Sequence, residues 1–282
     1  NGYRLPTEAE WEFAARGGYK VSGGLHGVGA SVVNALSEWL EVQVRRDGQI
    51  WQQRYERGKT MYPLKPVGTY DDGITGTKVT FKPDASIFET VIFNYNTLRT
   101  RLRETAFLTK ALKITLTDHR EGKEKEEVFH YEGGIAEFVT YLNRSKQSLY
   151  PDVIECEGIV NGIKVEVAMQ HNDSYEESCY SFVNNVITPE GGTHLTGFRN
   201  ALTKIVNNYA KEHGLLKENE DALSGDDIRE GLTSIISIKI EEPQFEGQTK
   251  QKLGNSEARG AVDSVVSEQL ERFLEEHPDA AK

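Results

Sequence analysis

The sequence predicts an α+β fold that is organised as about two domains. Three observations predict it: segments in which apolar and polar residues alternate, segments in which apolar residues recur at helical spacing, and a length of 282 residues. Alternation with a period of two is typical of half-buried strands, whereas a spacing of three to four residues is typical of helices. Both patterns occur along the chain, which favours mixed sheets with helices packed against them.

The first predicted helix directly follows a glycine-rich stretch. Its apolar residues fall on one helical face: Val28, Val32, Val33 and Leu36. Residues 40–56 then alternate on both sides of an Asp47-Gly48 pair, which predicts a hairpin with a tight primed turn. Further strands are predicted at 76–82, 112–117 and 127–131, with a helix at 96–110 between the first two, and we expect the strands of residues 40–131 to share one sheet.

The second half begins with a predicted helix at 135–146, which we interpret as the connection between domains. Tyr150-Pro151 ends that pattern, and an Asn161-Gly162 turn within 159–169 predicts another hairpin. The remaining predicted elements are a long amphipathic helix at 193–213, a strand at 233–240 and a last helix at 256–276.

Composition narrows the function classes. Hydrophobic residues make up 37% of the chain and charged residues 27%, which is typical of a globular protein. No apolar run approaches the roughly 20 residues of a membrane span, and the N-terminus lacks a secretory leader, so we expect a cytoplasmic protein without a membrane partner. The net charge of −11 argues against tight DNA binding by this chain alone. Cys156 and Cys179 have no metal-type spacing and are expected to be reduced thiols.

The glycine-rich stretch is the strongest local signal. Four glycines lie within seven positions, at Gly23, Gly24, Gly27 and Gly29, and a helix follows at once. Such a loop lets the backbone approach an anion and presents it to the N–H groups of a helix N-terminus. The spacing matches neither a Walker A loop nor the dinucleotide fingerprint. A strand-to-helix turn without a ligand is the alternative.

Residues 19–37, YKVSGGLHGVGASVVNALS, resemble the nucleotide lid of the gyrase B family and of the related topoisomerase IV B subunits. Further motifs of the family follow in order over residues 19–282: Gly76-Thr77, the HYEGG of 130–134, the GGTH of 191–194, the GDDIREGL of 225–232 and the QTK of 248–250. The resemblance implies the C-terminal part of a GHKL-type ATPase sandwich at 19–134, a connecting helix at 135–149 and a transducer domain, similar to domain 2 of ribosomal protein S5, at 150–282.

Residues 1–18 differ from that family. They resemble a segment of the formylglycine-generating, sulfatase-modifying enzymes, in which Thr7 and Glu10 form a capping box for a structural helix. The two resemblances meet at Gly17-Gly18, which suggests a chimera.

The gyrase B resemblance assigns an ATP-binding role to several residues. The lid that closes over the phosphates is formed by Gly24, Leu25, His26, Gly27, Val28, Gly29 and Ala30. Thr77 matches a threonine near the adenine, and Arg46 matches an arginine at the mouth of the pocket. Without the resemblance, Thr77 would be a plain strand residue and Arg46 a solvated charge.

Gln248 and Lys250 match a loop that, in the family, reaches the γ-phosphate from the transducer domain. A lysine suits that role because its ammonium group is a compact charge with three donors. The loop docks only while the terminal phosphate is present, so hydrolysis releases a contact between domains. An isolated Gln-Thr-Lys triplet would otherwise be an exposed polar loop.

No catalytic or metal-binding residue is assigned in this chain. The family's general base is a glutamate on a helix upstream of Tyr19, together with the asparagine that holds Mg²⁺ and the aspartate that reads adenine. Glu8, Glu10 and Glu12 match none of these, and His26 receives no catalytic role. Because losing a positioned base costs roughly 10²- to 10⁴-fold, we expect the chain not to hydrolyse ATP at a meaningful rate.

The sequence therefore predicts part of the ATP-binding subunit of a type II DNA topoisomerase, with ATP and Mg²⁺ as the family's cofactors. The intact parent would work in a heterotetramer with the breakage subunit on DNA and would dimerise through its ATPase domain. A topoisomerase IV B subunit is the close alternative, and a non-catalytic transducer that binds partner subunits is the alternative of another class. We also expect the first half to leave apolar surface bare and to be loose, while residues 150–282 fold cooperatively.

Overall fold

The structure is a computed structural model that describes residues 28–217, 220–247 and 249–281. These residues divide into two compact units, and the division falls between Asn94 and Tyr95. The combination of helices with largely antiparallel sheets confirms the α+β class. The domain boundaries predicted near residues 134 and 149 concern the family's domains and stay predictions.

The described part of the first unit has one helix and five strands: α1 Val28–Ala35, β1 Ser37–Arg46, β2 Gln49–Glu56, β3 Lys59–Thr60, β4 Lys65–Thr69 and β5 Gly76–Pro83. The strands form one antiparallel sheet of order β3-β2-β1-β5, in which β4 also pairs with β2. The predicted hairpin is β1–β2. Asp47 and Gly48 at its turn have φ values of 53° and 73°, which is the left-handed geometry of a primed turn.

The first unit buries little apolar surface. Among residues 28–94, Leu40 is the one hydrophobic side chain that the fold buries. In contrast, 54% of Val79 on β5 and 72% of Ile92 beyond it remain accessible to solvent. The apolar surface expected to be bare is therefore present in the described part of this unit.

The second unit contains the remaining elements: α2 Tyr95–Leu108, β6 Lys113–Asp118, β7 Lys125–His130, α3 Gly134–Asn143, β8 Ile154–Val160, β9 Ile163–His171, β10 Ser178–Val183, β11 Val186–Ile187, α4 Thr193–Glu212, α5 Gly225–Arg229, β12 Leu232–Lys239, α6 Ser256–Glu276 and α7 Pro278–Ala281. Its main sheet has the order β11-β10-β12-β9-β8, in which β10 and β12 are parallel and the other pairs are antiparallel.

The main sheet is covered on both faces. Helices α4 and α6 pack on one face, where Leu202 and Val266 meet Val167 of β9 in the larger core cluster. Helix α3 packs on the other face, where Phe138 meets Ile235 of β12. Because both faces are covered, β12 is buried along nearly its whole length, although its sequence alternates as if one face were exposed.

The expectation that one sheet includes all strands of residues 40–131 is wrong. Strands β6 and β7 form a two-stranded sheet of their own within the second unit. An aromatic cluster accounts for this arrangement: the ring of Phe107 on α2 stacks on Tyr131, just after β7, with centroids 3.6 Å apart, and on Phe138 of α3 at 4.6 Å. Helix α2 therefore packs on this hairpin, and Phe107 joins it to α3.

Buried polar groups tie α3 to the sheet. The side-chain oxygen of Asn143 accepts hydrogen bonds from Thr233 Oγ1 at 2.7 Å and Asn172 Nδ2 at 3.3 Å, and its amide nitrogen donates to Gln170 at 3.0 Å. Leaving one such buried group unpaired would cost about 1–3 kcal/mol, so this network fixes the end of α3 over the sheet.

Candidate functional site

In the first unit, Arg46 and Thr77 lie on the same face of the sheet. Thr77 of β5 pairs across the ladder with Val44 of β1, and Arg46 follows two residues after Val44. Cross-strand partners share a face, and residues two apart on a strand share it as well. Both side chains are exposed.

Arg46 is the less constrained of two neighbouring arginines. Its guanidinium lies 3.6 Å from the carboxylate of Asp47, and 72% of its side chain is accessible. Arg45, on the opposite face, donates to both carboxylate oxygens of Asp72 at 2.8 and 2.9 Å and stacks over Tyr70. Arg46 is therefore the arginine that can still bind an anion.

The lid residues are only partly described. Val28, Gly29 and Ala30 form the first turn of α1, and Gly29 and Ala30 are exposed. This turn contains no acidic residue that would repel a phosphate. The rest of the lid (Gly24, Leu25, His26 and Gly27), like Gln248, lies outside the described residues.

An apolar groove of about 300 Å³ lies beside α1 in the first unit, between that helix, β5 and the segment that follows β5. It is lined mainly by Val32, Val33, Leu36, Phe81, Phe88 and Phe93. Neither Arg46 nor Thr77 lines it, so this groove is separate from the polar residues assigned to ATP.

In the second unit, Lys250 lies in the loop of residues 240–255 that joins β12 to α6, which we call the lysine loop. Its backbone is left-handed, with φ of 56°, and its N–H donates to the carbonyl of Gly247 at 3.0 Å. A left-handed conformation costs a residue with a Cβ about 1–2 kcal/mol. Within the described ranges no ion pair holds the Lys250 ammonium group, whereas Lys252 pairs with Glu246 at 3.1 Å.

The part of the lysine loop that follows Lys250 is bonded to the start of α4. Leu253 donates its N–H to the carbonyl of Gly191 at 3.1 Å, and its carbonyl accepts from the N–H of Thr193 at 3.1 Å. The Leu253 side chain is buried in the larger core cluster. These bonds fix the position of the loop relative to α4.

Gly192 makes this contact possible. A Cβ atom built on Gly192 would lie 2.4 Å from the carbonyl oxygen of Leu253 and 2.5 Å from its nitrogen, and φ at Gly192 is 133°. Both the short distances and the φ value exclude a side chain at this position. The Gly-Gly pair of the GGTH motif is therefore explained by the approach of the lysine loop.

His194 lies beneath this contact and is structural. Its side chain is fully buried, and Nε2 lies 3.2 Å from the Thr188 hydroxyl oxygen, whose proton is donated to the Ser181 carbonyl at 3.0 Å. The same hydroxyl oxygen lies 2.7 Å from Ser181 Oγ, and Nδ1 of His194 has no partner among the described groups. Burial lowers the pKa of His194 to about 4, so the imidazole is neutral at physiological pH.

The described residues do not supply a metal-binding set. Within them, no three His, Cys, Asp or Glu side chains come together in a way that would hold an ion. Mg²⁺ needs several oxygen ligands, so this part of the chain fits it only as an ion carried on nucleotide phosphates.

Cys156 and Cys179 are free thiols, and burial raises their pKa values to about 12 and about 11. None of the described helices is long and apolar enough to span a bilayer.

Sequence reasoning assigned Lys250 but missed the residues that hold it. The turn at 190–193 and Leu253 lie about 60 positions apart in the chain and are joined by backbone hydrogen bonds. Their side chains carry no pattern that reveals such a contact. The one available signal was the Gly-Gly pair directly before a helix, because a helix start does not itself require two glycines.

Two family models match the chain. The model described as DNA gyrase B matches residues 134–282, which is more than half of the chain. The model described as sulfatase-modifying factor enzyme 1-like domain matches residues 1–79. This second match includes the first segment, for which that resemblance was expected, and extends past residue 18.

Curated relatives are similar over nearly the whole chain. The DNA gyrase B protein of Clostridium acetobutylicum is 56% identical over 267 residues, which are 94% of this chain and 41% of the relative. The DNA topoisomerase 4 B protein of Staphylococcus epidermidis is 58% identical over 273 residues, 95% of this chain and 40% of the relative. The chain thus spans about two fifths of the length of these relatives. The alignments overlap most of the sulfatase-type match, so a chimeric origin of residues 1–18 stays a prediction.

Solved structures with similar folds carry related names. The 43K ATPase domain of Thermus thermophilus gyrase B, solved with an aminocoumarin, is 44% identical with a TM-score of 0.78, and the match covers 90% of this chain and 68% of that one. The gyrase B protein of Myxococcus xanthus is 25% identical with a TM-score of 0.80 and covers 98% and 80% of the two chains. The ATP-binding domain of Francisella tularensis topoisomerase IV is 30% identical with a TM-score of 0.74, covering 92% and 71%.

Proposed function

This chain belongs to the DNA gyrase B family, and from that premise we propose that it binds ATP and senses the terminal phosphate. It retains the lid and transducer parts of the ATP-binding subunit of a type II topoisomerase. The parent activity is ATP-driven strand passage that introduces negative supercoils. A topoisomerase IV B subunit remains the alternative within the family, since relatives of the two names are 56% and 58% identical.

The observation that carries this proposal is the backbone conformation of Lys250. Its φ of 56° would suit glycine or asparagine better than lysine. Lys250 is half-buried, and a strained backbone at such a loop position points to a role for its side chain. A lysine ammonium group without an ion-pair partner in the described part of the chain is chemically suited to a phosphate oxygen.

The remaining contacts to ATP are assigned by the family resemblance. The lid residues 24–30 supply backbone N–H groups to the phosphates, Arg46 binds at the mouth of the pocket and Thr77 lies near the adenine. The exposed first turn of α1, which is free of acidic residues, supports the first of these roles. The common face of Arg46 and Thr77 supports the other two.

The terminal phosphate then acts as a switch. Lys250 binds the γ-phosphate of ATP and has no equivalent partner in ADP, so the contact between the lysine loop and the nucleotide forms only in the triphosphate state. The loop is bonded to the start of α4, and α4 packs against α6 in the main core. Binding and release at Lys250 therefore act on a rigid part of the second unit.

The partners are those of the family. In an intact protein, we propose assembly with the breakage subunit and DNA, dimerisation through the ATPase domain, and a cytoplasmic location. The net charge of −11 means that other parts of such an assembly supply most of the DNA contact. A non-catalytic interaction fragment is the alternative, and it would bind the breakage subunit equally well with ATP, ADP or no nucleotide.

The test is equilibrium binding of AMP-PNP, a non-hydrolysable ATP analogue, and of ADP to the purified chain with Mg²⁺. We expect tighter binding of AMP-PNP in the natural chain and equal affinities in Lys250→Asn, because asparagine tolerates the left-handed backbone but has no charge. Lys252→Asn is the matched control, since it removes a lysine from the same loop and should preserve the preference. Equal affinities of the natural chain for the two nucleotides would contradict the proposal.

A further inference from the structure

Asn255 directly precedes α6 and occupies its N-cap position, with φ of −55° and ψ of 110°. An asparagine in this position ordinarily accepts a hydrogen bond from a backbone N–H of the first helical turn. Here the side chain makes no such bond to the helix. Yet Asn255 is only 3% exposed, so its amide group is used elsewhere.

The Asn255 side chain closes the base of the lysine loop. Its oxygen accepts from the backbone N–H of Gln244 at 2.6 Å, and its nitrogen donates to the carbonyl of Glu242 at 3.2 Å and the carboxylate of Glu257 at 2.7 Å. Gln244 and Glu242 lie where the loop leaves β12, whereas Asn255 lies where it enters α6. This side chain thus joins the two ends of the loop, beside the backbone hydrogen bond from the N–H of Gly254 to the carbonyl of Gln244 at 2.7 Å.

Above this closure the two arms of the loop run together toward its tip. Phe245 and Leu253 form an antiparallel bridge, and Glu246 donates its N–H to the carbonyl of Lys252 at 3.0 Å. The arm that contains Leu253 is also bonded to the start of α4, because Leu253 donates its N–H to the carbonyl of Gly191. The loop that carries Lys250 is therefore held at its base by Asn255 and along one arm by the start of α4.

This arrangement explains how a left-handed lysine persists. A backbone conformation that costs about 1–3 kcal/mol is populated only when its surroundings leave no cheaper alternative. If the base of the loop opened, the strain at Lys250 would be released, and the ammonium group would no longer be presented in one direction.

We propose that Asn255 is a positioning residue for Lys250: by closing the base of the lysine loop, it holds the left-handed backbone that presents the Lys250 ammonium group to the terminal phosphate of a nucleoside triphosphate. This inference rests on the proposed function of Lys250. The alternative is that Asn255 serves only to begin α6.

Asn255→Ser separates the two roles. Serine is favoured at a helix N-cap, so the start of α6 remains satisfied. Its shorter side chain does not reach Gln244 and Glu242, so the base of the loop loses the Asn255 side-chain bonds and keeps only the backbone bond between Gly254 and Gln244. The readout is the ratio of the affinities for AMP-PNP and ADP in the full chain, measured for Asn255→Ser, Lys250→Asn and the double variant.

We expect Lys250→Asn to lower the ratio about tenfold, as for one charge-assisted hydrogen bond. We expect Asn255→Ser to lower it by a similar factor, and the double variant to lower it no further, because both changes remove the same contact. An unchanged ratio in Asn255→Ser, with the ratio lost in Lys250→Asn, would overturn the positioning role and leave the proposed function intact. A natural chain without any preference for AMP-PNP would overturn both.

Amide hydrogen exchange provides a second readout. We expect Asn255→Ser to accelerate exchange of the Lys250 amide, which is bonded to Gly247, by about tenfold while exchange within α6 stays unchanged. Faster exchange throughout α6 would assign Asn255 to the helix instead. Gly192→Ala disrupts the other anchor of the same loop, so it should also lower the affinity ratio, and an unchanged ratio there would likewise contradict the proposal.

Discussion

His194 should make the second unit unstable in acid. Its imidazole is fully buried, its Nε2 lies 3.2 Å from the Thr188 hydroxyl oxygen, and burial lowers its pKa from 6.5 to about 4. A charged imidazolium donates from both ring nitrogens, and Nδ1 has no acceptor among the described groups. At a pH between these two pKa values, His194 is therefore protonated in the unfolded chain and neutral in the folded chain.

The sign and size of the effect follow from this difference. Between about pH 6.5 and about pH 4 the unfolded state binds more protons, so stability falls as the pH falls through this window. The full loss is about 3 kcal/mol below the lower pKa, and about 2 kcal/mol of it is reached at about pH 5. Burial also lowers the pKa of His171, which adds a loss of the same sign.

The assay is urea unfolding at about pH 8 and about pH 5, followed by far-ultraviolet circular dichroism, which is dominated by the long helices α4 and α6. We expect the natural chain to lose about 2 kcal/mol more than His194→Gln between these two pH values, since glutamine can donate to Thr188 but does not titrate. Equal losses in the two proteins, or greater stability of the natural chain at the lower pH, would refute the reasoning.

Two further predictions concern the stability of the two units. Gly197→Ala should lower the free energy of unfolding, measured with urea, by about 2 kcal/mol, because its Cβ would lie 2.3 Å from the carbonyl oxygen of Arg259 where α4 crosses α6. Gly260→Ala is the control: a Cβ there meets nothing within 4 Å, so this change should raise the free energy of unfolding by about 1 kcal/mol. Two changes of the same sign would contradict this prediction. Amide hydrogen exchange should be fast across β1 to β5 and slow across β8, β9 and β12, because Leu40 is the one buried hydrophobic side chain described in the first unit. Uniformly slow exchange would contradict a loose first unit.

Much of the fold could be predicted because local signals were strong. The Asp47-Gly48 and Asn161-Gly162 turns each have positive φ at both positions, as their sequences require, and α6 spans the predicted residues Ser256–Glu276. Strand β10 was missed because Ser178–Val183 lacks alternation, and its partner β12 follows only after the long α4. Such parallel pairing at long range leaves little trace in local sequence.

The residues assigned to ATP in the candidate site were predictable from the sequence, whereas the residues that hold the lysine loop in place were not. A glycine-rich lid and a lone lysine are local features, and the family resemblance assigned their roles. The closure by Asn255 was not predictable, since asparagine before a helix ordinarily indicates a cap. Only the folded structure reveals that its amide is bonded to Gln244 across the loop. The separation of β6–β7 from the first sheet likewise depended on tertiary packing around Phe107.

The most direct test of the central claim is the chemical reactivity of Lys250 itself. Limited acetylation of the chain, read out by mass spectrometry, reports how accessible each ammonium group is, and Lys252 in the same loop provides an internal reference. We predict that AMP-PNP with Mg²⁺ slows acetylation of Lys250 several-fold, that ADP does not, and that Lys252 reacts equally in both cases. Equal reactivity of Lys250 with AMP-PNP, ADP and no nucleotide would contradict the claim that this lysine senses the terminal phosphate.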